Sequence, residues 1–413
     1  MPVMRRAALA LAFLCSSAAR ADAAFPTGMS VLLPRELPQR ILVGTTFGLV
    51  LSEDRGATFR YVCEPYITGT GVTVLVYQVA ANGDVLAAHQ TALSRTSDEG
   101  CTWTRASGIP SDQLVLDAFF DPSNAASVTA IAWPPPAGAS LFASADGGRT
   151  FGTTLLTSGT PPVRAEERLL SVEIAASAPV VYVTTLALPG ASSPGGAALL
   201  RSGDRGATWS RFDLAVAPNV QVKIAQVDPV DANTVYLLVS TASADEIHVS
   251  HDGGATVVPL FVPVPSAFLG GFVATSDGHL YAGTSGGDFY VRTTGATEFT
   301  RLKGPHMRCL GERDGRIYAC GDSTVDPYDV ATSDDQGKSF QKLLSFTEIL
   351  GPATCPAVQS ACAADFAQLQ RALAVVPVGS CSCGDPSGDA VAVLILLAAA
   401  LRRRRRAPAR DRR

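Results

Sequence analysis

The octamer SGDRGATW, residues 202–209, combines an acid, two glycines, a threonine and a tryptophan in one short stretch. Five relatives share its pattern, Ser/Thr-x-Asp-x-Gly-x-Thr/Ser-aromatic, with Val257 as the one departure at the last position: SEDRGATF (52–59), TSDEGCTW (96–103), SADGGRTF (144–151), SHDGGATV (250–257) and SDDQGKSF (333–340). Self-similarity at a regular interval indicates a repeat architecture, so the octamer is the main clue to the fold.

The spacing of the octamers predicts the number of repeat units. Their aspartates are separated by 44, 48, 58, 48 and 83 residues: Asp54, Asp98, Asp146, Asp204, Asp252 and Asp335. The last interval is nearly twice the others, and a degenerate copy, RTTGATEF (292–299), lies near its middle. It has lost the aspartate but keeps the Gly/Thr/aromatic end. The sequence therefore predicts seven units.

A second repeated feature precedes the octamers and predicts strands. Alternating apolar residues flank either an Asn-Gly or Asp-Gly turn, as in VAANGDVLAA (79–88) and LGERDGRIYACG (310–321), or a Pro-containing corner, as in VDPVDANTVYLL (227–238). Four short antiparallel strands per unit at this period predict an all-β, seven-bladed β-propeller of four-stranded blades. Each octamer then forms the hairpin corner between two strands of a blade.

The octamer resembles the Asp-box repeat of sialidase-type (BNR) propellers, and the resemblance extends across residues 40–346. The Pro-containing corners look like those of sortilin-type and xyloglucan-hydrolase propellers. The resemblance implies the propeller fold. It implies no particular function, because this repeat occurs in enzymes, receptors and assembly factors alike.

The octamer aspartates are predicted to be structural. An aspartate at a bend accepts backbone N–H bonds, and glycine supplies a backbone conformation that other residues resist. A calcium loop needs several acids at alternate positions, whereas SGDRGATW contains one.

Both ends of the chain have the character of targeting segments. Residues 1–23 combine Arg5 and Arg6, a short apolar run and an Ala21-Asp22-Ala23 cleavage site, which predicts a signal peptide. Residues 381–413 contain Cys381 and Cys383, a twelve-residue apolar segment and an arginine cluster. This order resembles the myxobacterial C-terminal sorting tail (MYXO-CTERM). It implies processing near the two cysteines by a sorting protease and display on the cell surface, with a plain membrane anchor as the alternative.

Composition narrows the class of partner. Without these two ends the chain has 22 Lys and Arg against 33 Asp and Glu, and no basic stripe, which argues against a nucleic-acid partner. No cofactor motif and no cysteine or histidine spacing typical of zinc occurs, so no cofactor and no metal is expected. The five histidines are scattered.

An exported chain can keep disulfides. The Asp314-Gly315 turn places Cys309 opposite Cys320, which predicts that these two pair. Cys355 and Cys362 are expected to pair because they are close in sequence, which leaves Cys63 to Cys101. CAADFAQLQRALAVV (362–376) predicts an amphipathic helix, with Phe366, Leu369 and Leu373 along one stripe, that caps the propeller or forms a stalk.

The resemblance leaves two kinds of enzymatic activity open. A sialidase needs an arginine triad, but Arg35 and Arg40 lie outside the expected Arg-Ile-Pro motif, and Arg201, Arg292 and Arg308 lie in no recognisable one. A xyloglucanase-like hydrolase needs two carboxylates about 5–9.5 Å apart across a cleft. The candidates are Asp117, Glu173, Asp228 and Glu312, with Asp228 expected to cap a turn.

The predicted organisation is a signal peptide (1–23), a propeller (24–350), a disulfide-bearing helical stalk or cap (351–380) and a sorting tail (381–413). The predicted function is a non-enzymatic, surface-displayed interaction or adhesion scaffold for a protein or glycan ligand at one propeller face. The loops 158–167 and 188–197 are the longest and are where specificity would lie. A glycoside hydrolase and an assembly factor for an exported complex are the alternatives.

Overall fold

Seven four-stranded sheets follow one another along the chain, each with its strands in sequence order and antiparallel. The computed structural model describes residues 26–70, 74–110, 113–133, 138–190, 194–264 and 267–374. The predicted all-β, seven-bladed propeller is confirmed. The degenerate octamer 292–299 lies between the third and fourth strands of blade 6, where the interval between aspartates predicted it.

The blades contain 28 strands within the described residues. Blades 1 to 4 contain β1–β16: Gly28–Leu32, Ile41–Thr45, Gly48–Ser52, Arg60–Cys63; Val74–Val79, Val85–His89, Ala92–Thr96, Thr104–Arg105; Leu114–Asp121, Asn124–Trp133, Ser140–Ser144, Thr153–Thr157; Glu167–Ile174, Val181–Ala187, Gly196–Ser202, Ser210–Leu214. Blades 5 to 7 contain β17–β28: Gln221–Val227, Val235–Ser240, Asp245–Ser250, Val258–Phe261; Leu269–Ala274, Leu280–Thr284, Asp288–Arg292, Thr300–Lys303; Cys309–Arg313, Arg316–Cys320, Val330–Ser333, Gln341–Leu344. Two α-helices, α1 and α2, and one 3₁₀ helix accompany them: Glu64–Thr68, Pro356–Ala374 and Phe346–Glu348.

The first strand of each blade lines the axis of the propeller. Successive first strands contact one another, and β25 of blade 7 contacts β1 of blade 1, which closes the ring. The octamers (52–59 and its equivalents) join third to fourth strands. Because the strands of a blade alternate in direction, the turns between first and second strands lie at the same end, here termed the octamer face. The remaining connections form the opposite face.

Apolar clusters fill the spaces between blades. Because a blade is apolar on both faces, each must be covered by a neighbour, and a buried Leu or Ile side chain contributes about 1.5–3 kcal/mol. The largest cluster joins blades 7, 1 and 2 to helix α2, and includes Val43, Tyr318 and Leu369.

The contact between blades 7 and 1 depends on two glycines. A Cβ on Gly28 would come within 2.9 Å of Cys320 Sγ, and one on Gly311 within 2.8 Å of a Val31 methyl group. These approaches leave no room for a side chain, so the inner strands of the first and last blades pack directly against each other.

Helix α2 returns from blade 7 to blades 1 and 2, where two disulfides hold it. Cys63 at the end of β4 bonds Cys362, and Cys101 in the octamer of blade 2 bonds Cys355, across sequence separations of 299 and 254 residues. Ala353, just before the helix, donates its N–H to Tyr61 O of β4 at 2.9 Å. The ring is therefore locked by a segment that follows the last blade.

The disulfide predictions were right for one pair and wrong for the other two. Cys309 bonds Cys320 in the predicted hairpin register. The predicted pairs Cys63–Cys101 and Cys355–Cys362 are wrong, because α2 begins at Pro356, six residues before the predicted start at 362. Seven helical residues rise about 10 Å, which separates Cys355 from Cys362 by more than the 4.4–6.8 Å between the Cα atoms of a disulfide.

Several predictions concern residues outside this part of the chain. The signal peptide and the tail with Cys381 and Cys383 lie outside the described residues. Within the ranges that the structure does describe, no helix has the length and apolar character needed to cross a membrane.

The disulfide pattern predicts which thiol each substitution releases. Cys362→Ser should leave Cys63 open to alkylation and Cys355 protected, as measured by mass spectrometry of the non-reduced protein. It should lower the free energy of unfolding by about 4 kcal/mol, since Cys63–Cys362 closes a loop of about 45 residues while Cys101–Cys355 is intact. As a control, Cys320→Ser should release Cys309 alone. Alkylation of Cys355 in the Cys362→Ser variant would contradict the pattern.

Candidate functional site

Each octamer aspartate holds its own corner. Asp204 Oδ1 accepts the Thr208 backbone N–H at 2.8 Å, and Oδ2 accepts the Thr208 hydroxyl at 2.6 Å. The buried Ser202 hydroxyl donates to Asp204 Oδ1 at 2.7 Å and accepts the Gly206 N–H at 2.7 Å. The hydrogen bonds from Thr208, followed by that from Ser202, lower the pKa of Asp204 to about 2. The same bonds recur at the other five: Asp54, Asp98, Asp146, Asp252 and Asp335.

The corner has a feature that the sequence analysis missed. The residue before the octamer glycine also has a positive φ, and in four octamers it is not glycine: Arg55, Glu99, Arg205 and Gln336. The signal was present in the sequence, because the other two octamers have Gly147 and Gly253 at this position. The hydrogen bonds around each aspartate hold the backbone of these four residues in a conformation that residues other than glycine rarely adopt.

Carboxylates on the inner strands bridge neighbouring blades at the axis. Asp117 on β9 accepts the Val172 N–H of blade 4 through Oδ2 at 3.0 Å, and its own neighbour's N–H, that of Ala118, through Oδ1 at 2.9 Å. Glu173, the residue after Val172, accepts the Val227 N–H of blade 5 through Oε1 at 2.8 Å. Asp117 and Glu173, two of the four predicted carboxylate candidates, thus connect blade 3 to blade 4 and blade 4 to blade 5.

Uncharged side chains extend these links on β13 and β17. Ser171 Oγ accepts the Ile224 N–H of blade 5 at 2.9 Å. Gln226 then bonds both polar backbone atoms of Ala274 in blade 6, accepting at 2.8 Å and donating at 2.9 Å. Blades 3 to 6 are therefore joined at the axis by hydrogen bonds from side chains to the next blade's backbone.

Burial keeps the two axial carboxyl groups protonated at higher pH than usual. Removal from water raises the pKa of Asp117 to about 7, against the backbone hydrogen bonds and the positive charge of Lys223, which lower it. It raises the pKa of Glu173 to about 8, with a further increase from the charge of Asp117. A carboxyl group that holds its proton near neutral pH can donate as well as accept a hydrogen bond.

The other two carboxylate candidates stabilise turns. Asp228 Oδ1 accepts the N–H groups of Val230 and Asp231 at 2.9 and 3.0 Å, which matches the predicted capping role. Glu312 Oε1 accepts the Gly315 N–H at 2.6 Å in the hairpin of blade 7.

The five histidines and three of the arginines named above have local partners. Arg201 bonds Asn233 at 2.9 Å, Arg308 pairs with Asp322, and the Arg292 guanidinium lies 5.6 Å from the Phe299 ring. Among the described residues, no group of three or more His, Cys, Asp or Glu side chains is arranged to hold a metal ion.

An apolar cavity of 310 Å³ lies at the axis, between the inner strands of blades 5, 6, 7 and 1. Met29 projects into it with 56% of its surface exposed. The rest of the lining is mostly apolar side chains and glycines, including Ile224, Leu269, Gly270, Phe272 and Leu310. The axis thus has an apolar part and, on the side of blades 3 and 4, the carboxyl pair.

A second cavity, of 450 Å³, lies at the rim between blades 3 and 4. The long loop 158–167 contributes Thr160, Pro161 and Pro162, and the octamer of blade 4 contributes Trp209. Trp209 donates its ring N–H to Gly206 O at 3.0 Å, so the octamer fixes its ring. Trp133 lies at the end of β10, with the Arg168 guanidinium 4.3 Å from its ring centroid.

No family model and no curated protein sequence matches this chain significantly. Its fold is similar to that of the Dos1 propeller, with a TM-score of 0.51 at 10% identity over 79% of this chain and 86% of that one. It is also similar to YCF48 from Cyanidioschyzon merolae, with a TM-score of 0.50 at 11% identity over 72% and 93%. An ancestral GH74 enzyme gives a TM-score of 0.49 at 12% identity over 77% and 48%. At these identities the likeness concerns the fold alone.

The axial carboxyl pair predicts a loss of stability toward high pH. Its pKa values are raised in the folded protein, so its stabilising effect is complete below about pH 4 and is lost as the pH rises through 7 and 8. The difference in melting temperature between pH 5 and pH 9 should therefore shrink in the Asp117→Asn/Glu173→Gln double variant. Glu298→Gln, at an exposed site, should keep the wild-type difference. An equal difference in the double variant would contradict this role.

Proposed function

We propose that this chain is an exported propeller, displayed at the cell surface, that binds a segment of a partner protein at its axis and catalyses no reaction. The observation that carries the proposal is the apolar axial cavity into which Met29 projects. An exposed methionine bordered by apolar walls suits an apolar side chain of a ligand, because binding then removes apolar surface from water.

The chemistry of the cavity favours a protein over a glycan. A sugar needs several polar groups that converge on its hydroxyls, whereas the side chains of this lining are mostly apolar, among them Ile224, Leu238 and Leu310. A factor that assembles an exported complex would use the same contact, and it would be recognised by co-purification with that one complex.

Location outside the cytoplasm is supported by three disulfides, which are typical of extracellular proteins. It agrees with the predicted signal peptide (1–23) and with display through the predicted sorting tail (381–413). The proposed attachment to the cell surface rests on that tail.

A charge in place of Met29 should weaken ligand binding. We expect a phage-displayed random peptide library to yield apolar peptides that bind the wild-type protein. Met29→Asp should weaken their binding by roughly tenfold or more, because it places a charge in an apolar contact. Val258→Asp is the matched control, since Val258 is 54% exposed on the outer strand of blade 5. This variant should bind the peptides as the wild-type protein does.

Two results would contradict this proposal. One is a library that yields no specific peptide. The other is a set of peptides that bind Met29→Asp as tightly as wild type. If the protein binds glycans on an array and no peptide, its ligand is a carbohydrate and not a protein.

A second candidate is glycoside hydrolysis, which is favoured by the raised pKa values of Asp117 and Glu173. A general acid must hold a proton near neutral pH, as these carboxyl groups do. However, both Asp117 oxygens accept backbone N–H groups, which suits a structural brace. We therefore expect no release of reducing ends from xyloglucan and no release of sialic acid from sialyllactose. Release that Glu173→Gln abolishes would establish the hydrolase instead.

A further inference from the structure

A cleft of 390 Å³ lies on the opposite face of blade 1, beneath the second half of α2. The loop between β2 and β3 forms one side, α1 another, and the helix the third. The residues that line it are Pro26, Thr46, Phe47, Tyr61, Glu64, Pro65, Asp365, Gln368, Leu369 and Ala372. The cleft belongs neither to the axis nor to an octamer.

One wall of the cleft is aromatic and held in place. The rings of Phe47 and Tyr61 have centroids 5.7 Å apart, and the Tyr61 hydroxyl donates to Phe47 O at 3.0 Å. Phe366 of α2 packs on Tyr61 at 6.0 Å, and Phe346 packs edge-on against Phe47 at 5.1 Å. Tyr61 is 2% exposed, so it fixes the position of Phe47, whereas Phe47 is only half-buried and leaves ring surface for a ligand.

Two carboxylates face the same cleft. Glu64 accepts the Val74 N–H through Oε1 at 2.7 Å, and burial raises its pKa. Asp365 lies on α2, one turn after the disulfide-bonded Cys362. In the described residues, neither carboxylate forms an ion pair with Arg, Lys or His.

The two carboxylates act on one ring. Burial is the main cause of the raised pKa of Tyr61, and the charges of Asp365 and Glu64 raise it further. The cleft therefore combines negative potential with an aromatic wall.

We propose that this cleft binds an organic ammonium group carried on a short apolar body. Phe47, which Tyr61 holds in place, would contact the apolar part and attract the cation through its ring face, while Asp365 and Glu64 balance its charge. A bare metal ion fits less well, because the aromatic wall offers no ligands and Glu64 already shares one oxygen with Val74. An anion would be repelled by both carboxylates.

The chemistry suits two sources, a free small amine and a lysine side chain of another protein. The test uses chain produced without residues 1–23 and isothermal titration with choline, pentylammonium and Nα-acetyl-lysine amide. We expect at least one probe to bind with a dissociation constant in the millimolar range or below, which corresponds to about 4 kcal/mol of binding free energy or more. Binding by the lysine derivative as well as by the free amines indicates a protein side chain. Binding by the free amines alone indicates a small molecule.

The matched variants are Asp365→Asn and Glu298→Gln, each of which removes one carboxylate charge. Asp365→Asn should weaken binding by roughly tenfold, because it removes a charge that faces the cation. Glu298, exposed in blade 6, should be replaceable without effect on binding. Equal melting temperatures would show that both variants fold as wild type does. If Asp365→Asn alters folding, the contribution of charge is tested by the salt dependence of binding to the wild-type protein. Binding should then weaken as the salt concentration rises.

Two outcomes would overturn the proposal. The first is no binding of any of the three probes to the wild-type protein. The second is affinity that changes neither in a folded Asp365→Asn variant nor with salt.

Discussion

Closure of the ring is the constraint on which the rest of this structure depends. In the part of the chain that the structure describes, the strands of each of the seven blades are consecutive in sequence, so no blade combines strands from both ends. Blades 7 and 1 therefore pack against each other without a shared blade, and the only described strand pairing across this joint is the isolated bridge between Tyr61 and Pro352. Glycine contacts at Gly28 and Gly311 permit close packing, and α2 with its two disulfides prevents the ends from separating.

The same ring uses two kinds of joint at its axis, and their distribution determines what the axis offers to a ligand. From blade 3 to blade 6, side chains such as Asp117, Glu173 and Gln226 bond the next backbone. Blades 6 and 7 are instead joined by close packing at Gly271. A Cβ atom added to Gly271 would lie 2.4 Å from the Cβ atom of Leu310. The polar joints place carboxyl groups on one side of the axis. The glycine joint leaves the apolar cavity on the other.

The sequence predicted what local interactions determine. The octamer satisfies its own hydrogen bonds within eight residues, so its repetition gave the blade count, and the Asp314-Gly315 turn gave the Cys309–Cys320 pair. The other two disulfides depend on where α2 packs, which no local pattern encodes. Asp117 and Glu173 were identified as candidates, but their joint role depends on contacts with the backbones of the following blades. The α2 cleft was missed because its aromatic and acidic residues come from segments about 300 residues apart.

The two long-range disulfides impose an order on oxidative folding. Cys63 and Cys101 are synthesised more than 250 residues before their partners, at separations of 299 and 254. During that interval the nearest available thiol for each is the other, across a much shorter loop that closes at lower entropic cost. Early oxidation would thus create a kinetic trap that only thiol–disulfide exchange resolves, over seconds to hours. Efficient production of the native ring therefore calls for oxidation that is late or reversible, such as a disulfide isomerase provides.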